Sequence, residues 1–332
     1  MSTDIVGWDI GGAHLKAVAL DADGTATTYQ QPTPLWLGLE HLQRGIEAIL
    51  ARIPDWRTCR HAITMTGELV DLFSDREQGV AALIDAFCQH VPSNAVSVFA
   101  GDEGFLPTNE VRSEHTAHIA SANWLATALL AASHAEQALL IDIGSTTTDL
   151  IVIHQGRPEV RGRTDTERLR HQELVYTGIA RTSLMAEHFA TTADVYRLTG
   201  ELPEHADQMP TADGGEKSPG ASARRLARLL GADAHLAPPS DWRTLAHYFR
   251  HQQLHTIQQA VDRQLSRGLL DAGAGFIGAG AGRFLVQELA RRLDRPYQDF
   301  LDLLPMPRNS DDFDPADCAP AAAVACLLKR DS

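Results

Sequence analysis

Two stretches of the chain repeat one pattern of apolar and polar positions, and they span residues 5–20 and 139–153. Each begins as a short apolar run, passes through Asp-Ile-Gly and a small polar turn, and continues as a second apolar run. The aspartates of the two stretches are Asp9 and Asp142. Apolar runs bounded by glycine and small polar residues are typical of strands joined in hairpins. The repeat therefore predicts two similar hairpins in two similar halves of the protein.

The rest of the chain alternates between helical and extended patterns. Strands are predicted over 61–66 and 95–100, and apolar residues at helical spacing predict helices over 35–53, 121–133, 224–230, 242–270 and 316–328, with another beginning at 67–71. Helices that alternate with strands in both halves indicate an α/β architecture.

The length of 332 residues favours two domains. We predict a first domain of residues 1–135 plus a C-terminal helix within 314–332, and a second domain of residues 136–313. Within the second domain, residues 191–220 are rich in Pro, Gly, Asp and Thr, and this composition predicts a mobile insertion built of loops.

Composition and charge narrow the class of protein. The chain is 44% hydrophobic and 22% charged, which is typical of a globular protein, and its net charge of −14 disfavours nucleic acids and anionic membranes as partners. Its four cysteines form no C-x-x-C pair, and the histidines show no zinc-binding spacing. We expect a cytoplasmic protein, with neither signal peptide nor membrane span.

The two glycine turns have the chemistry of a phosphate site. Glycine lets backbone N–H groups approach an anion closely, and hydroxyl groups add further donors. Asp9 and Asp142 place carboxylates beside these turns, and Mg²⁺ would relieve their repulsion of a phosphate. The residues predicted to bind diphosphate here are Gly11, Gly12, His14, Gly144, Ser145, Thr146 and Thr147.

A third glycine cluster follows another apolar run and precedes a helical pattern that begins at Arg283. A glycine turn that opens a helix is a further anion site, since free N–H groups and the helix dipole point at the ligand. Its predicted contacts are Gly278, Gly280 and Gly282. The context of a dinucleotide-binding fingerprint is missing, which argues against nicotinamide.

These three motifs resemble those of the actin/sugar-kinase/heat-shock ATPase superfamily. The matching residues are Asp9-Ile-Gly-Gly, Asp142-Ile-Gly-Ser-Thr and Gly278-Ala-Gly-Ala-Gly. The resemblance implies two ribonuclease-H-like, actin-like ATPase domains with a cleft between them, where Asp9 and Asp142 would converge on a metal-bound diphosphate. It also makes a bound nucleotide possible without requiring one.

A narrower resemblance is to hydantoinase/oxoprolinase-related proteins linked to tetrahydromethanopterin-dependent C1 transfer. It is carried by the segments 65–71, 120–124, 173–182 and 211–214. It implies a transferase of methanofuran biosynthesis, in which the phenol oxygen of γ-glutamyltyramine displaces diphosphate from aminomethylfuranmethyl diphosphate. The implied partners are these small molecules, and the oligomeric state is left open.

Within that implied reaction, individual residues receive expected roles. Lys16 would add a countercharge to the diphosphate if its strand turns it inward. A carboxylate would accept the phenolic proton, and the candidates are Glu68, Asp102 and Glu173. Substrate contacts are expected from Asp102, Asn123, Tyr176, Thr177 and Arg181.

Two other functions are consistent with the same motifs. An ATP-dependent small-molecule kinase or ATPase would use the glycine turns for nucleotide, with Asp102 as a possible base. A non-catalytic actin-like assembly module would use the same fold to form filaments. Turnover of Mg-ATP and nucleotide-dependent light scattering, respectively, separate these alternatives from the transferase.

Overall fold

The computed structural model of the chain describes residues 3–184, 190–304 and 313–331, and residues 305–312 beside the predicted domain junction lie outside it. The strands within these ranges are β1 (Thr3–Ile10), β2 (His14–Asp21), β3 (Ala26–Pro32), β4 (Arg60–Met65), β5 (Val96–Phe99), β6 (Phe105–Pro107), β7 (Gln137–Ile143), β8 (Thr148–His154), β9 (Arg157–Glu159), β10 (Leu174–Val175), β11 (Gly275–Ala279) and β12 (Tyr297–Asp299).

The α-helices of the same ranges are α1 (Leu39–Leu50), α2 (Arg76–Cys88), α3 (Thr116–Ile119), α4 (Asn123–Ala132), α5 (Asp165–His171), α6 (Thr192–Thr199), α7 (Pro219–Leu229), α8 (Pro239–Leu265), α9 (Arg283–Arg292) and α10 (Ala319–Arg330). Among the described residues, no helix is long and apolar enough to cross a membrane. The four cysteines are all free thiols.

The chain divides into two compact units. The first contains Met1–Glu136, Gln155–Pro158 and Asp299–Ser332, and the second contains Gln137–His154 and Glu159–Gln298. Each unit has its own six-stranded sheet.

The first unit is built on a mixed sheet with the order β3-β2-β1-β4-β5-β6. The predicted hairpin is β1 and β2, which pair antiparallel, and β4 pairs parallel on the other side of β1. One face of this sheet packs against α1 and α2 through a core that includes Trp8, Ile46 and Phe87. The other face packs against α10 so closely that a Cβ on Gly7 would lie 2.1 Å from the carbonyl oxygen of Ala321. Glycine is thus required in the middle of β1 for this helix to approach the strand.

The second unit repeats the arrangement around its own hairpin. β7 and β8 pair antiparallel, and β11 pairs parallel on the other side of β7. The sheet order is β10-β8-β7-β11-β12, with β9 also pairing with β8. Leu139, Ile141 and Val152 meet α8 and α9 in the core of this unit. The duplicated hairpin is confirmed, and the α/β class with it; the parallel third strand beside each hairpin is a further feature that both units share.

Two predictions of local structure were wrong. The helix expected to begin at Gly67 is a single 3-10 turn over Gly67–Leu69, and α2 begins only at Arg76. The missed start signal is Asp75, whose carboxylate accepts a hydrogen bond from the backbone N–H of Gln78 and caps α2.

The segment 191–220, expected to consist of loops, begins with α6 and ends in the first turn of α7. The composition suggested loops, but Thr191 and Asp194 form a capping box, which begins a helix. Pro219 occupies the first turn of α7, where the N–H that proline lacks would have no partner within the helix.

A buried histidine in β4 gives the first unit a pH-dependent stability. The ring of His61 is inaccessible to solvent, its Nδ1 accepts from the indole N–H of Trp8 at 3.1 Å, and its Nε2–H donates to the carbonyl of Trp56 at 3.0 Å. Burial lowers the pKa of His61 to about 4. The unfolded chain therefore binds a proton near pH 6.5 that the native protein excludes until about pH 4, so stability falls as the pH drops through this window.

We expect the wild-type protein to lose about 2 kcal/mol of unfolding free energy from this residue between pH 7.5 and pH 5. His61→Gln keeps an acceptor for Trp8 but cannot titrate, so its pH dependence should be smaller by that amount. Urea denaturation of both proteins at the two pH values measures the difference. Equal pH slopes would show that His61 is not a neutral ring in the native state.

Candidate functional site

The first hairpin presents Asp9 at the end of β1 beside a tight glycine turn. The turn closes where the backbone N–H of Gly11 donates to the carbonyl of His14 at 3.1 Å. His14 is buried, and the carbonyl of Gly12 accepts from the N–H of Leu35. The predicted phosphate-type turn is thus a compact hairpin loop whose shape is set by backbone hydrogen bonds.

Lys16 lies directly across the hairpin from Asp9 and on the same face of the sheet. The register pairs Asp9 with Lys16, and cross-strand partners in an antiparallel pair point to the same side. Asp9 is only 6% exposed, and the Nζ of Lys16 lies 3.5 Å from the main-chain oxygen of Asp317. Lys16 therefore lies on the same face of the hairpin as the buried Asp9 carboxylate, and its role toward a diphosphate stays a prediction.

A second segment of the first unit borders this turn. The N–H of Thr66 donates to the carbonyl of Ile10, and a Cβ on Gly67 would lie 3.1 Å from that same oxygen. Glu68 follows directly and is 1% exposed, and its Oε1 accepts from the hydroxyl of Ser121 at 2.7 Å. The structure thus brings the candidate base Glu68 into the segment that borders the first glycine turn.

The two other candidate residues in the first unit are Asn123 and Asp102. Asn123 begins α4, two residues after Ser121, and its Oδ1 accepts from the N–H of Trp124. Asp102 lies in a 3-10 turn after β5 and is exposed to solvent. Asn123 therefore follows closely on Ser121, which contacts Glu68, whereas Asp102 lies just beyond the end of a neighbouring strand.

The second hairpin has a turn closed in the same way. The N–H of Gly144 donates to the carbonyl of Thr147 at 2.9 Å, and the hydroxyls of Ser145 and Thr146 lie 3.3 Å apart on the loop. The two hairpins thus close with the same backbone hydrogen bond, from the first glycine of the turn to the residue three positions later.

The charge across the second hairpin differs from that of the first. Asp142 pairs across the strands with Asp149, where Asp9 pairs with Lys16. Like charges directly opposite one another are unfavourable, and Arg168 compensates through an ion pair with Asp149 at 2.9 Å. Burial raises the pKa of Asp149, and this ion pair opposes that shift. Sequence analysis missed both residues, although the spacing of Asp149 from the turn matches that of Lys16.

The third glycine cluster lies against Asp142 within the second unit. A Cβ on Gly280 would lie 2.4 Å from Oδ1 of Asp142, and the positive φ of +76° at this residue favours glycine independently. The N–H of Gly282 donates to the carbonyl of Ile143 at 2.8 Å, and α9 begins at the next residue. Gly278, inside β11, instead provides room for the ring of Tyr297. The Asp142 carboxylate thus packs directly against Gly280, where any side chain would displace it, and Gly282 makes room for Ile143 and Ile179.

The segment after β10 packs directly onto the second turn, and its glycine was not among the predicted site residues. A Cβ on Gly178 would lie 2.4–2.6 Å from backbone atoms of Gly144, Ser145 and Thr146. The N–H groups of Ala180 and Arg181 both donate to the carbonyl of Ser145. The signal was present in the sequence as Thr-Gly within 173–182, but nothing local indicated which turn it would contact.

Buried side chains from α6 and α8 hold this segment in place. The amide of Gln253 donates to the hydroxyl of Thr177 and to the carbonyl of Gly178, both at 2.8 Å, and the hydroxyl of Tyr196 donates to Gln253 at 2.6 Å. Thr177, a predicted substrate contact, is therefore 7% exposed and engaged in this network.

The remaining predicted residues of the second unit occupy different environments. Tyr176 is 60% exposed, and Arg181 is also on the surface. Glu173 is 1% exposed, its two oxygens accept the backbone N–H groups of Arg161 and Gly162, and Arg267 lies 3.4 Å away. These contacts fasten the 161–162 segment to the start of β10, and the role of Glu173 as a base stays a prediction.

Across the described ranges, no three His, Cys, Asp or Glu side chains come close enough to hold a metal ion alone. The available donors are single carboxylates beside hydroxyls and backbone amides. Such a donor set suits Mg²⁺, which is usually held by one or two carboxylates together with phosphate oxygens and waters. It does not suit a closed structural metal centre.

Two sheets, each built on a hairpin with an acidic residue before a tight glycine turn, define an α/β protein with two units of actin-like fold. The nucleotide-free structure of acetone carboxylase has this fold, with a TM-score of 0.50 and 10% identity over 84% of this chain and 65% of that chain.

Sequence comparisons then identify the relatives of this chain. The family model described as Hydantoinase/oxoprolinase matches residues 60–188. The (4-{4-[2-(γ-L-glutamylamino)ethyl]phenoxymethyl}furan-2-yl)methanamine synthase of Methanocaldococcus jannaschii is 29% identical, over 79% of this chain and 82% of that protein. The synthase of the same name from Methanococcus vannielii is 32% identical over 29% of this chain and 50% of that protein. The resemblance to hydantoinase/oxoprolinase-related proteins and to this synthase is confirmed.

Proposed function

We propose that this protein is an enzyme of methanofuran biosynthesis that forms an aryl ether from γ-glutamyltyramine and aminomethylfuranmethyl diphosphate. The observation that carries the proposal is the 29% identity to the Methanocaldococcus jannaschii synthase, because it extends over 79% of this chain and 82% of the relative. That relative is named for a phenoxymethylfuran product, which contains the ether bond formed here. The proposed setting is the reducing cytoplasm, which four unpaired cysteines support.

The proposed reaction is a substitution at the furanmethyl carbon. The bond from this carbon to the diphosphate oxygen breaks with its electron pair leaving on diphosphate, and a bond to the phenol oxygen forms. The electron-rich furan ring spreads the positive charge that develops on the carbon. The phenolic proton passes to a base on the protein, so the products are the ether, diphosphate and a proton.

The glycine turns are proposed to hold the diphosphate as its charge grows. Backbone N–H groups fixed in a hairpin need no reorganisation during the reaction, and such donors stabilise developing negative charge effectively. The second turn adds the hydroxyls of Ser145 and Thr146, and Lys16 beside the first turn supplies a positive charge.

Mg²⁺ is the proposed metal, and the carboxylates of Asp9 and Asp142, each beside the glycine turn of its own unit, are the candidate ligands. Carboxylate oxygens are hard ligands of the kind that Mg²⁺ prefers, and without a cation they would repel a diphosphate. When bound, Mg²⁺ would neutralise charge on the leaving diphosphate.

Glu68 is the best-supported candidate for the proton acceptor. It is buried, it lies one residue beyond the glycine that contacts the first turn, and Ser121 fixes one of its oxygens. Asp102 is exposed, and Glu173 is engaged by backbone N–H groups. Substitution of Glu68 by Gln tests this role directly through the pH dependence of kcat.

Product analysis tests the proposed function. We expect purified protein mixed with Mg²⁺, the furan diphosphate and γ-glutamyltyramine to produce the ether and diphosphate in equal amounts, as measured by mass spectrometry and a diphosphate assay. Omission of the tyramine compound should abolish diphosphate release above the uncatalysed rate.

A parallel incubation with Mg-ATP distinguishes the kinase or ATPase alternative. ATP turnover at ordinary enzymatic rates, with no ether formed from the two proposed substrates, would refute the transferase assignment. Ether formation without added nucleotide supports it.

A further inference from the structure

The second unit contains a large cavity that is not lined by the predicted site residues. Its volume is about 960 Å³, and it lies where the C-terminal end of α6 meets the beginnings of α7 and α8. Cavities of this size are in the range that takes small-molecule ligands. Much of its wall belongs to the segment for which the sequence predicted only loops.

The lining is strongly basic in a chain whose net charge is −14. Arg197, Arg224, Arg228 and Arg243 line the cavity, together with a single acid, Asp233. Arg197 is paired with Asp194 and Asp207, and Arg228 with Asp233.

The other two arginines have no compensating partner. Within the described ranges, neither Arg224 nor Arg243 forms an ion pair or a side-chain hydrogen bond, and both are exposed. The planar guanidinium of arginine matches carboxylate and phosphate oxygens in a bidentate geometry. Two uncompensated guanidinium groups on one cavity are therefore a receptor for oxyanions.

Two helix ends add to the positive potential. Pro219 and Gly220 of α7 and Pro239 of α8 line the cavity, and these residues form the first turns of helices of 11 and 27 residues. The first turn of a helix carries the positive end of the dipole, and Gly220 adds a backbone N–H, whereas Pro219 and Pro239 have none. The two dipoles act in the same direction as the arginines.

Much of the remaining lining is apolar, although Thr199 and His235 also belong to it. Leu198, Ala223 and Ala237 contribute aliphatic surface, and Trp242 contributes an aromatic ring. The indole N–H of Trp242 donates to the carbonyl of Ala234 at 2.8 Å, which fixes the ring. A ligand that combines negative charges with an apolar body matches this lining better than an inorganic ion does.

We propose that this cavity binds a small organic anion that carries at least two negative charges, from carboxylates or a phosphate, on an apolar body. The site is separate from the glycine turn of the same unit. Gln253 contacts the segment that packs on that turn, and it lies ten positions beyond Arg243 in α8, a rise of about 15 Å. The inference does not depend on the proposed transferase activity.

Calorimetric titration of the full-length protein tests the proposal with two probes. Benzene-1,3,5-tricarboxylate represents the carboxylate source and 1-naphthyl phosphate the phosphate source. We expect at least one to bind saturably, and the tighter of the two identifies the source of the charge. The uncharged benzene-1,3,5-tricarboxamide should bind far more weakly than the tricarboxylate.

Variants locate the binding in the cavity. The double variant R224A/R243A should raise the dissociation constant about tenfold or more, since it removes at least one charge-assisted hydrogen bond. Arg170→Ala, which removes an exposed arginine elsewhere in the unit, should leave it unchanged. The proposal is overturned if neither probe binds, if the amide binds as tightly as the tricarboxylate, or if R224A/R243A binds as the wild type does.

Discussion

Asparagine in place of Asp142 lowers kcat for ether formation on the order of a hundredfold or more, whereas the fold is retained. The substitution preserves the size of the side chain beside Gly280 and removes its negative charge. In the proposed reaction that charge helps to hold Mg²⁺ on the leaving diphosphate, and such electrostatic stabilisation contributes several kcal/mol to the transition state. Steady-state kinetics over a range of Mg²⁺ concentrations provides the measurement, and the variant should need more Mg²⁺ for half-maximal activity.

Substitution of an exposed aspartate in the same unit is the control for a general change of charge. Asp294 lies in the same unit, is exposed and has a φ of +51°, a conformation that asparagine tolerates well. Asp294→Asn should therefore keep wild-type kinetics. Asp9→Asn is also expected to lower kcat, because Asp9 is the corresponding carboxylate beside the first glycine turn. Wild-type turnover and Mg²⁺ dependence in both Asp9→Asn and Asp142→Asn would exclude a role for these residues.

The hairpins and their glycine turns were predictable because their determinants are local. Alternation of apolar and polar residues, an aspartate at the strand end and glycine in the turn all act within about ten residues of sequence. The same holds for the glycine turn before α9. These local patterns place Asp9 and Asp142 directly before their own turns.

The partners of these residues were not predictable, because they depend on contacts between distant segments. Gly178 reaches the second turn only after the chain has passed through β8, β9 and α5, and Arg168 compensates Asp149 across that same interval. No periodicity in the sequence marks such pairs. The capping box of Thr191 and Asp194 at the start of α6 is, in contrast, a local signal. It was missed because the polar composition of the segment is also typical of loops.

Loss of the charge on Asp194 destabilises the second unit strongly, because this buried carboxylate joins α6 to α7. Asp194 and Arg225 are 2% and 3% exposed, and they form an ion pair at 2.7 Å, while Ser222 and Arg197 also donate to Asp194. Removal of one member of a buried ion pair costs about 3–5 kcal/mol. We expect Asp194→Asn to cost about 3 kcal/mol, at the lower end of this range, because Arg225 keeps its contact with Asp213.

The exposed ion pair between Arg228 and Asp233 provides the comparison. Its members are 61% and 49% exposed, so Asp233→Asn should cost less than about 1 kcal/mol. Urea denaturation gives the two free energies, and hydrogen exchange in Pro219–Leu229 shows where the loss occurs. Exchange in α7 should accelerate in Asp194→Asn and stay near the wild-type rate in Asp233→Asn. Similar unfolding free energies for the two variants would mean that the buried network does not hold these helices together.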